Sequence, residues 1–166
     1  MIIGGGDIAS VIKDRKNLLF FASGVSNSKE IRESEYQREV DLLLSQDSGC
    51  HIVYFSSLCV FYSDSRYAGH KRYMEKLAKG FRLWTILRFG NITWGTNPHT
   101  LINALREQRK RGGKPIIQDV YRYICDRREF DYWINLIPSW SCEMSIPGKR
   151  MKVKDIYREY VINYNS

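Results

Sequence analysis

The hydrophobic positions of this chain follow two alternating rhythms. Short unbroken apolar runs at residues 17–22, centred on Leu18-Leu19-Phe20-Phe21, and at 51–55 and 83–87 have the length and composition of buried strands. Helical stretches separate them. Over residues 34–46, Tyr36, Val40, Leu43 and Leu44 keep the i, i+4, i+7, i+8 spacing of one helical face, and Ser34 with Gln37 forms a candidate capping box. Residues 66–79 predict a second helix that Gly80 is placed to stop, and 101–111 and 127–136 predict two more. Val153, Ile156, Tyr157, Tyr160 and Val161 mark the apolar face of a C-terminal helix. Residues 9–12 are expected to open a short helix, 116–120 to form a strand and 140–149 to be loop. Such alternation, without internal repeats, argues for an α/β sheet with crossover helices.

Composition changes this picture little. With 43% hydrophobic and 13% aromatic residues in 166, the chain can bury a sizeable core, which excludes wholesale disorder. No apolar run approaches the roughly 20 residues of a membrane-spanning helix, and Met1-Ile2-Ile3-Gly4 has no basic start or long apolar stretch. Neither a membrane contact nor a signal peptide is therefore expected, and a cytoplasmic location is. Cys50, Cys59, Cys125 and Cys142 lack metal-finger spacing and read as reduced thiols. His51 and His99 have no partners at ligand spacing, so no metal is expected, and His70 reads as a solvent-facing neighbour of Lys71.

The net charge of +8 has one dense cluster, Arg106, Arg109, Lys110, Arg111 and Lys114, at the end of a predicted helix. It has two readings: a solvated helix end, where cations favour the dipole, or a phosphate-binding patch.

Three local patterns carry possible chemistry, and they stand in one chain order. Gly4-x-Gly6-x-x-Ala9 follows an apolar strand stub. It would allow close backbone approach to a pyrophosphate at the start of the following helix, or it is a plain N-terminal turn. The strand at 51–55 runs into Ser56-Ser57, and Tyr67-x-x-x-Lys71 comes after it, two side chains one turn apart on one helical face. An ammonium beside a phenol lowers its pKa toward proton exchange with a substrate oxygen, and a serine at a strand's carboxyl end can bond the same oxygen. The alternative is that Tyr67 simply packs. Lastly, the strand at 83–87 leads into the polar turn Arg88-Phe89-Gly90-Asn91, where open α/β sheets bind ligands.

This ordered set resembles the extended short-chain dehydrogenase/reductase family, the NAD-dependent nucleotide-sugar epimerases and dehydratases. Ser56-Ser57-Leu58-Cys59-Val60-Phe61 resembles its Ser-Ser-x-x-Val-Tyr. Leu87-Arg88-Phe89-Gly90-Asn91-Ile92-Thr93-Trp94-Gly95 is similar to its Leu-Arg-x-x-Asn-Val-Tyr-Gly, and Gly113-Lys114-Pro115-Ile116 to its Gly-x-Pro-Ile. The resemblance implies a reduced Rossmann-like α/β domain over residues 1–166, mostly parallel with helices on both faces, in which about 95–166 form a small substrate-side region. It implies an NAD- or NADP-dependent oxidoreductase or epimerase acting on a sugar nucleotide or related alcohol. Ser57, Tyr67 and Lys71 would be catalytic: Ser57 polarises the substrate oxygen, Tyr67 is the acid/base, and Lys71 lowers the tyrosine pKa and holds the nicotinamide ribose. Gly4, Gly6, Ala9, Ala22 and Lys71 would line the dinucleotide, with Asn91 near the sugar nucleotide and Arg122 toward its diphosphate.

The departures from the family are equally specific. Leu58 and Cys59 stand where the dehydratase branch resembles an Asp-Glu pair, so sugar-nucleotide dehydration is not the expected reaction. Only a few residues separate the Gly turn from the 17–22 strand, where the family has two further strands and their helices, so weak dinucleotide binding is expected. A homodimer through the 34–46 and 66–79 helices is implied, with Leu43, Leu44 and Tyr73 as contact candidates. A shortened non-catalytic relative serving as a binding or scaffold protein is the second reading, and a basic nucleic-acid-binding module the third.

Overall fold

The computed structural model describes residues 1–112, 115 and 117–163. Five strands form one all-parallel sheet: β1 (Ile2–Ile3), β2 (Leu18–Phe21), β3 (His51–Ser57), β4 (Leu83–Phe89) and β7 (Cys142–Ile146), in the order β1-β2-β3-β4-β7. A second sheet holds β5 (Asn91–Ile92), β6 (Tyr121–Cys125) and β8 (Lys149–Lys152) in the order β5-β6-β8. The helices are α1 (Glu33–Leu44), α2 (Arg66–Ala78), α3 (Leu101–Lys110), α4 (Arg127–Asn135) and α5 (Val153–Tyr157), the last continued by a π-helical turn over Arg158–Ile162.

The period-2 geometry of a strand explains how the sheet is covered on both faces. Leu19, Phe21, Ile52, Tyr54 and Ile86 point to one side and pack against Val40 and Leu43 of α1 and Met74 and Ala78 of α2. Phe20, Val53, Phe55, Leu87 and Ile146 point to the other, against Phe130 and Ile134 of α4 and against Ile12 and Ile137. Phe130 is fully buried, its ring within 6.1 Å of Phe55, 5.8 Å of Phe89 and 5.1 Å of Trp94. A third cluster, Ile102 and Leu105 of α3 with Ile124, Val153, Ile156 and Val161, builds the region around β6. The result is a Rossmann-like α/β fold.

Several expectations change. Residues 140–149 are not loop: Cys142, Met144 and Ile146 alternate with Glu143 and Ser145 in β7, which pairs with β4 from Thr85↔Cys142 to Phe89↔Ile146. The strand placed at 116–120 lies one segment later, at β6; residues 117–120 are not strand, and Ile116 is outside the described residues. Ser34 caps nothing, because α1 starts at Glu33 with Arg32 in the N-cap position, and the Gln37 side chain donates instead to Asp41. The segment after the Gly turn is only a three-residue 3-10 turn, Ala9–Val11. The basic cluster is partly used internally, since Arg106 and Arg109 donate to the Tyr160 and Val161 carbonyls and Lys110 pairs with Glu107; Lys114 is outside the described residues. Among the described residues, no helix is long and apolar enough to cross a membrane.

Because Phe130 is the common neighbour of three other aromatic rings, Phe130→Ala is expected to cost about 3–5 kcal/mol. A urea titration should show this as a lower midpoint with an unchanged slope.

Candidate functional site

Gly4, Ala22 and Ser57 stand at the carboxyl ends of β1, β2 and β3, Tyr67 and Lys71 on α2, and Asn91 and Arg122 in the second sheet. β1 ends at Gly4, whose φ of +123° suits glycine and whose turn lies against the Ala22 carbonyl just beyond β2. Ala22 donates its N–H to Ile3 at 2.8 Å, and Ala9 is buried beneath the turn. Asp7 fastens this turn to the segment after β5: its carboxylate accepts the N–H groups of Thr96 and Asn97 at 3.0 Å each, and its carbonyl accepts Trp94 Nε1 at 3.1 Å. Gly6 leads into the Ala9–Val11 turn rather than into a long helix whose dipole would face a pyrophosphate.

β3 delivers Ser57, half-buried, with its hydroxyl accepting the Cys59 N–H at 3.3 Å as the cap of the 3-10 turn Leu58–Phe61. Tyr67 sits in the first turn of α2, after the Ser65 cap. Cys59 is close to both, bonded to Ser57 and acting electrostatically on Tyr67. Burial first, then Cys59, pushes the Tyr62 phenol up, against a lowering by Arg122. Arg122 also donates to the Tyr121 carbonyl at 3.0 Å. Asn91 is half-buried on β5, where its side-chain amide donates to the Tyr123 carbonyl at 3.2 Å and ties the second sheet together. Ser57 thus ends β3, Tyr67 opens α2, and Arg122 and Asn91 lie on β6 and β5 of the second sheet, where Asn91 serves as a bond between strands.

Lys71 behaves differently from the expectation that it serves Tyr67. It is 3% exposed, and its ammonium donates to Glu39 Oε1 and to the Tyr54 hydroxyl, both at 3.0 Å. Its Nζ is 5.7 Å from the Tyr67 ring centre, and among the described residues the Tyr67 hydroxyl makes no hydrogen bond. Burial first, then the nearby Cys59 and Glu39, push the Tyr67 phenol well above its ordinary range, opposite to the lowering expected from Lys71. Glu39 is fully buried and accepts four bonds, from Lys71, from Tyr54 at 2.7 Å, from the Val25 N–H at 2.7 Å and from His70 Nε2 at 3.0 Å. Burial opposes its ionisation, but Lys71 foremost, with His70, Val25 and Tyr54, outweighs that and holds the carboxyl well below the usual range. His70 is therefore not solvent-facing: its side chain is 8% exposed and its ring meets Tyr36 edge-on at 4.7 Å.

The sequence did carry a signal for Glu39. It falls three residues after Tyr36 and one before Val40, on the same stripe as Leu43, so a carboxylate interrupts an apolar face. Glu75 repeats the pattern on α2, accepting Ser56 Oγ at 2.6 Å and both ends of Arg88 at 2.8 and 2.6 Å. Arg88 also reaches Glu143 on β7 at 2.6 Å. Leu43, a candidate for a dimer contact, is fully buried in the core, whereas Leu44 and Tyr73 are exposed. Among the described residues no cluster of His, Cys, Asp or Glu is arranged to hold a metal ion.

No protein-family model matches the sequence, and no curated protein matches it at a significant level. Solved structures do share the fold. The Bordetella bronchiseptica enzyme WbmG, crystallised with NAD and UDP, superposes at a TM-score of 0.68 with 14% identity over 89% of this chain and 56% of that one. UDP-N-acetylglucosamine 4-epimerase from Methanobrevibacter ruminantium gives 0.58 at 14% identity, over 92% and 61%. A mutant of UDP-glucuronic acid 4-epimerase from Bacillus cereus gives 0.61 at 13%, over 86% and 59%. The chain is thus similar in fold to NAD-dependent nucleotide-sugar epimerases and spans 56–61% of the length of these three.

The depressed Glu39 pKa gives stability that is present above the ordinary Glu range and is lost as pH falls toward the folded-state value. Stability should therefore drop as pH falls below about 4.3. Glu39→Gln should flatten this acid limb, as read from urea midpoints between pH 3 and pH 7.

Proposed function

We propose that the chain is a nicotinamide-dinucleotide-dependent oxidoreductase or epimerase acting on a sugar nucleotide or related alcohol at the carboxyl edge of its parallel sheet. The observation that carries this reading is the placement of Ser57 at the carboxyl end of β3 and of Tyr67 in the first turn of α2, with Lys71 Nζ 5.7 Å from the Tyr67 ring centre. It is supported by solved chains of the same fold that were crystallised with NAD, or with NAD and UDP.

The fit to a dinucleotide is uneven. On one side, Gly5 and Gly6 are open, with no heavy atom within 4 Å of where a Cβ would stand, and Ala9 and Ala22 are small neighbours of the turn. On the other, β1 pairs only with β2 and forms the edge of the sheet, where the two additional strands implied by the family likeness would hold the adenosine. We assign Gly4, Gly6, Ala9 and Ala22 to the pyrophosphate and nicotinamide side, and leave the adenosine without a protein wall. When bound, the nicotinamide would supply the hydride donor or acceptor. Ser57 would orient the substrate oxygen, and Tyr67, a neutral phenol here, would hold and donate the proton at that oxygen. Arg122 would meet a diphosphate.

The second reading, a non-catalytic relative, is favoured by one observation: Lys71 is committed to Glu39 and Tyr54 rather than presented to a ligand. Titration of NAD(H) and NADP(H) separates the two. Losing a charged bond to the ribose costs about 1.5–3 kcal/mol, so affinity about ten- to a hundredfold weaker than in a chain with that wall is expected. Tyr67→Phe should leave dinucleotide affinity nearly unchanged while reducing turnover about 10²- to 10⁴-fold. No binding at millimolar dinucleotide would favour the non-catalytic reading.

We also propose a homodimer through the outer faces of α1 and α2, with Leu44 and Tyr73, 60% and 50% exposed, as the apolar contacts. Light scattering at micromolar concentration should give twice the chain mass, and Leu44→Glu with Tyr73→Glu should return it to the monomer value.

A further inference from the structure

We propose that Glu39 is a positioning residue of the candidate active site: its buried carboxylate clamps the Lys71 ammonium against the Tyr54 hydroxyl, and thereby keeps the Tyr67 phenol protonated until the clamp is opened. This rests on the reading of Tyr67 as the proton-transfer group.

The clamp is built from four separate parts of the chain. α1 supplies Glu39, α2 supplies Lys71 and His70, β3 supplies Tyr54, and the loop after β2 supplies the Val25 N–H. Each Glu39 oxygen accepts two bonds, Oε1 from Lys71 and Tyr54 and Oε2 from Val25 and His70, which saturates the carboxylate. Gly24 is what lets the loop close over it, since a Cβ there would lie 2.6 Å from Lys71 Nζ and 2.8 Å from Glu39 Oε1. An ammonium has three donors, and two of Lys71's are held by Glu39 and Tyr54. One donor remains for Tyr67 or for a ligand.

A lysine one turn from a tyrosine normally favours the phenolate, but only while its charge is not cancelled at shorter range. Here Glu39 is 3.0 Å from the ammonium, whereas the Tyr67 ring centre is 5.7 Å away. The other titratable or charged groups around this pair are Tyr36 on α1 with Arg66 over its ring, Tyr54 on β3, Cys59 and Tyr62 after β3, and His70, Arg72 and Glu75 on α2. The two fixed cations among them are engaged elsewhere, Arg66 with Ile31 and Glu33 and Arg72 with the Val60 and Ser63 carbonyls. The arrangement therefore gives Tyr67 the role of proton donor in the ligand-free chain, and makes release of Lys71 the step that would make it a base.

Tyrosinate absorbance tests this without requiring turnover. The spectrum of each protein minus that of its Tyr67→Phe partner isolates one of the eleven tyrosines. In the wild-type chain the Tyr67 signal should be absent while the exposed tyrosines ionise near 10, and in Glu39→Gln it should move down by about one pH unit or more. In Glu39→Gln with Lys71→Met it should move back up, because the released ammonium is gone. A signal at one pH in all three proteins would overturn the clamp. So would a downward shift that persists without Lys71, which would mean that only the field of Glu39 acts. Should Glu39→Gln fail to fold, Glu39→Asp, which withdraws the carboxylate by one methylene, is expected to shift the signal in the same sense, and an unshifted signal there overturns the proposal. Because the readout is a titration, it stands apart from any failure of Tyr67→Phe to alter turnover, which would count against the catalytic reading alone.

Discussion

Two opposite charges one turn apart on the buried face of α2 set the terms for the rest of the molecule. Lys71 and Glu75 lie on the same stripe as Ala68, Met74 and Ala78, facing the sheet. A charge taken out of water must be matched close by, or removing it costs several kcal/mol. Lys71 is matched by Glu39, which fixes how α1 sits beside α2 and draws the loop after β2 inward through the Val25 N–H. Glu75 is matched by Arg88, which fixes α2 over β4, and Arg88 is shared with Glu143, which brings β7 to the sheet. The packing of α1, α2, β4 and β7 is thus written in two ion pairs as well as in the apolar core. Apolar residues of similar volume often replace such buried pairs without loss of stability. The effect of these two pairs is on geometry: they leave few ways to place the helices.

The sequence is legible wherever a signal is local. The runs at 17–22, 51–55 and 83–87 are buried on both faces, so they show as unbroken hydrophobic stretches and correspond to β2, β3 and β4. The helical stripes of α1, α2, α3 and α4 also show, to within a residue or two at their ends. β7 hid because Glu143 and Ser145 on alternate positions break its apolar run, Glu143 being paired with Arg88 and Lys79 from elsewhere in the chain. The candidate site was legible as a set of residues, Ser57 and Tyr67 above all, because strand ends and a one-turn spacing are local features. The partner of Lys71 was not, because Glu39 is 32 positions away and an acidic residue on a helix ordinarily faces water.

The edge of the sheet makes the two sides of the candidate site unequal. β1 is two residues long and pairs on one side only, so the row of backbone groups beyond it has no neighbour in the described sheet. Short edge strands blunt unwanted pairing. With no strand beyond β1 in the described sheet, the dinucleotide of the proposed function would have no strand surface there for its far end. The Gly turn is kept in shape by other means, through Asp7 bonded to Thr96 and Asn97 and through Asn97 bonded to Ser26 at 2.9 Å. The loops after β1, β2 and β5 therefore brace one another, and the Gly turn is held without the dipole of a following α-helix.

This bracing and the Glu39 clamp act on the same loop. Residues 22–25 are held by Gly4 from one side and by Glu39 and Lys71 from the other, while Arg38 reaches Ser23 at 3.3 Å. A ligand entering along the Gly turn would press on a segment whose far side closes over the lysine. Displacing that loop by even a small distance would lengthen the Val25 bond to Glu39, and a carboxylate that loses one of its four donors holds its remaining partners less rigidly. On the proposed reading, occupancy at the turn and the electrostatic state of Tyr67 would be linked through this one short stretch of backbone.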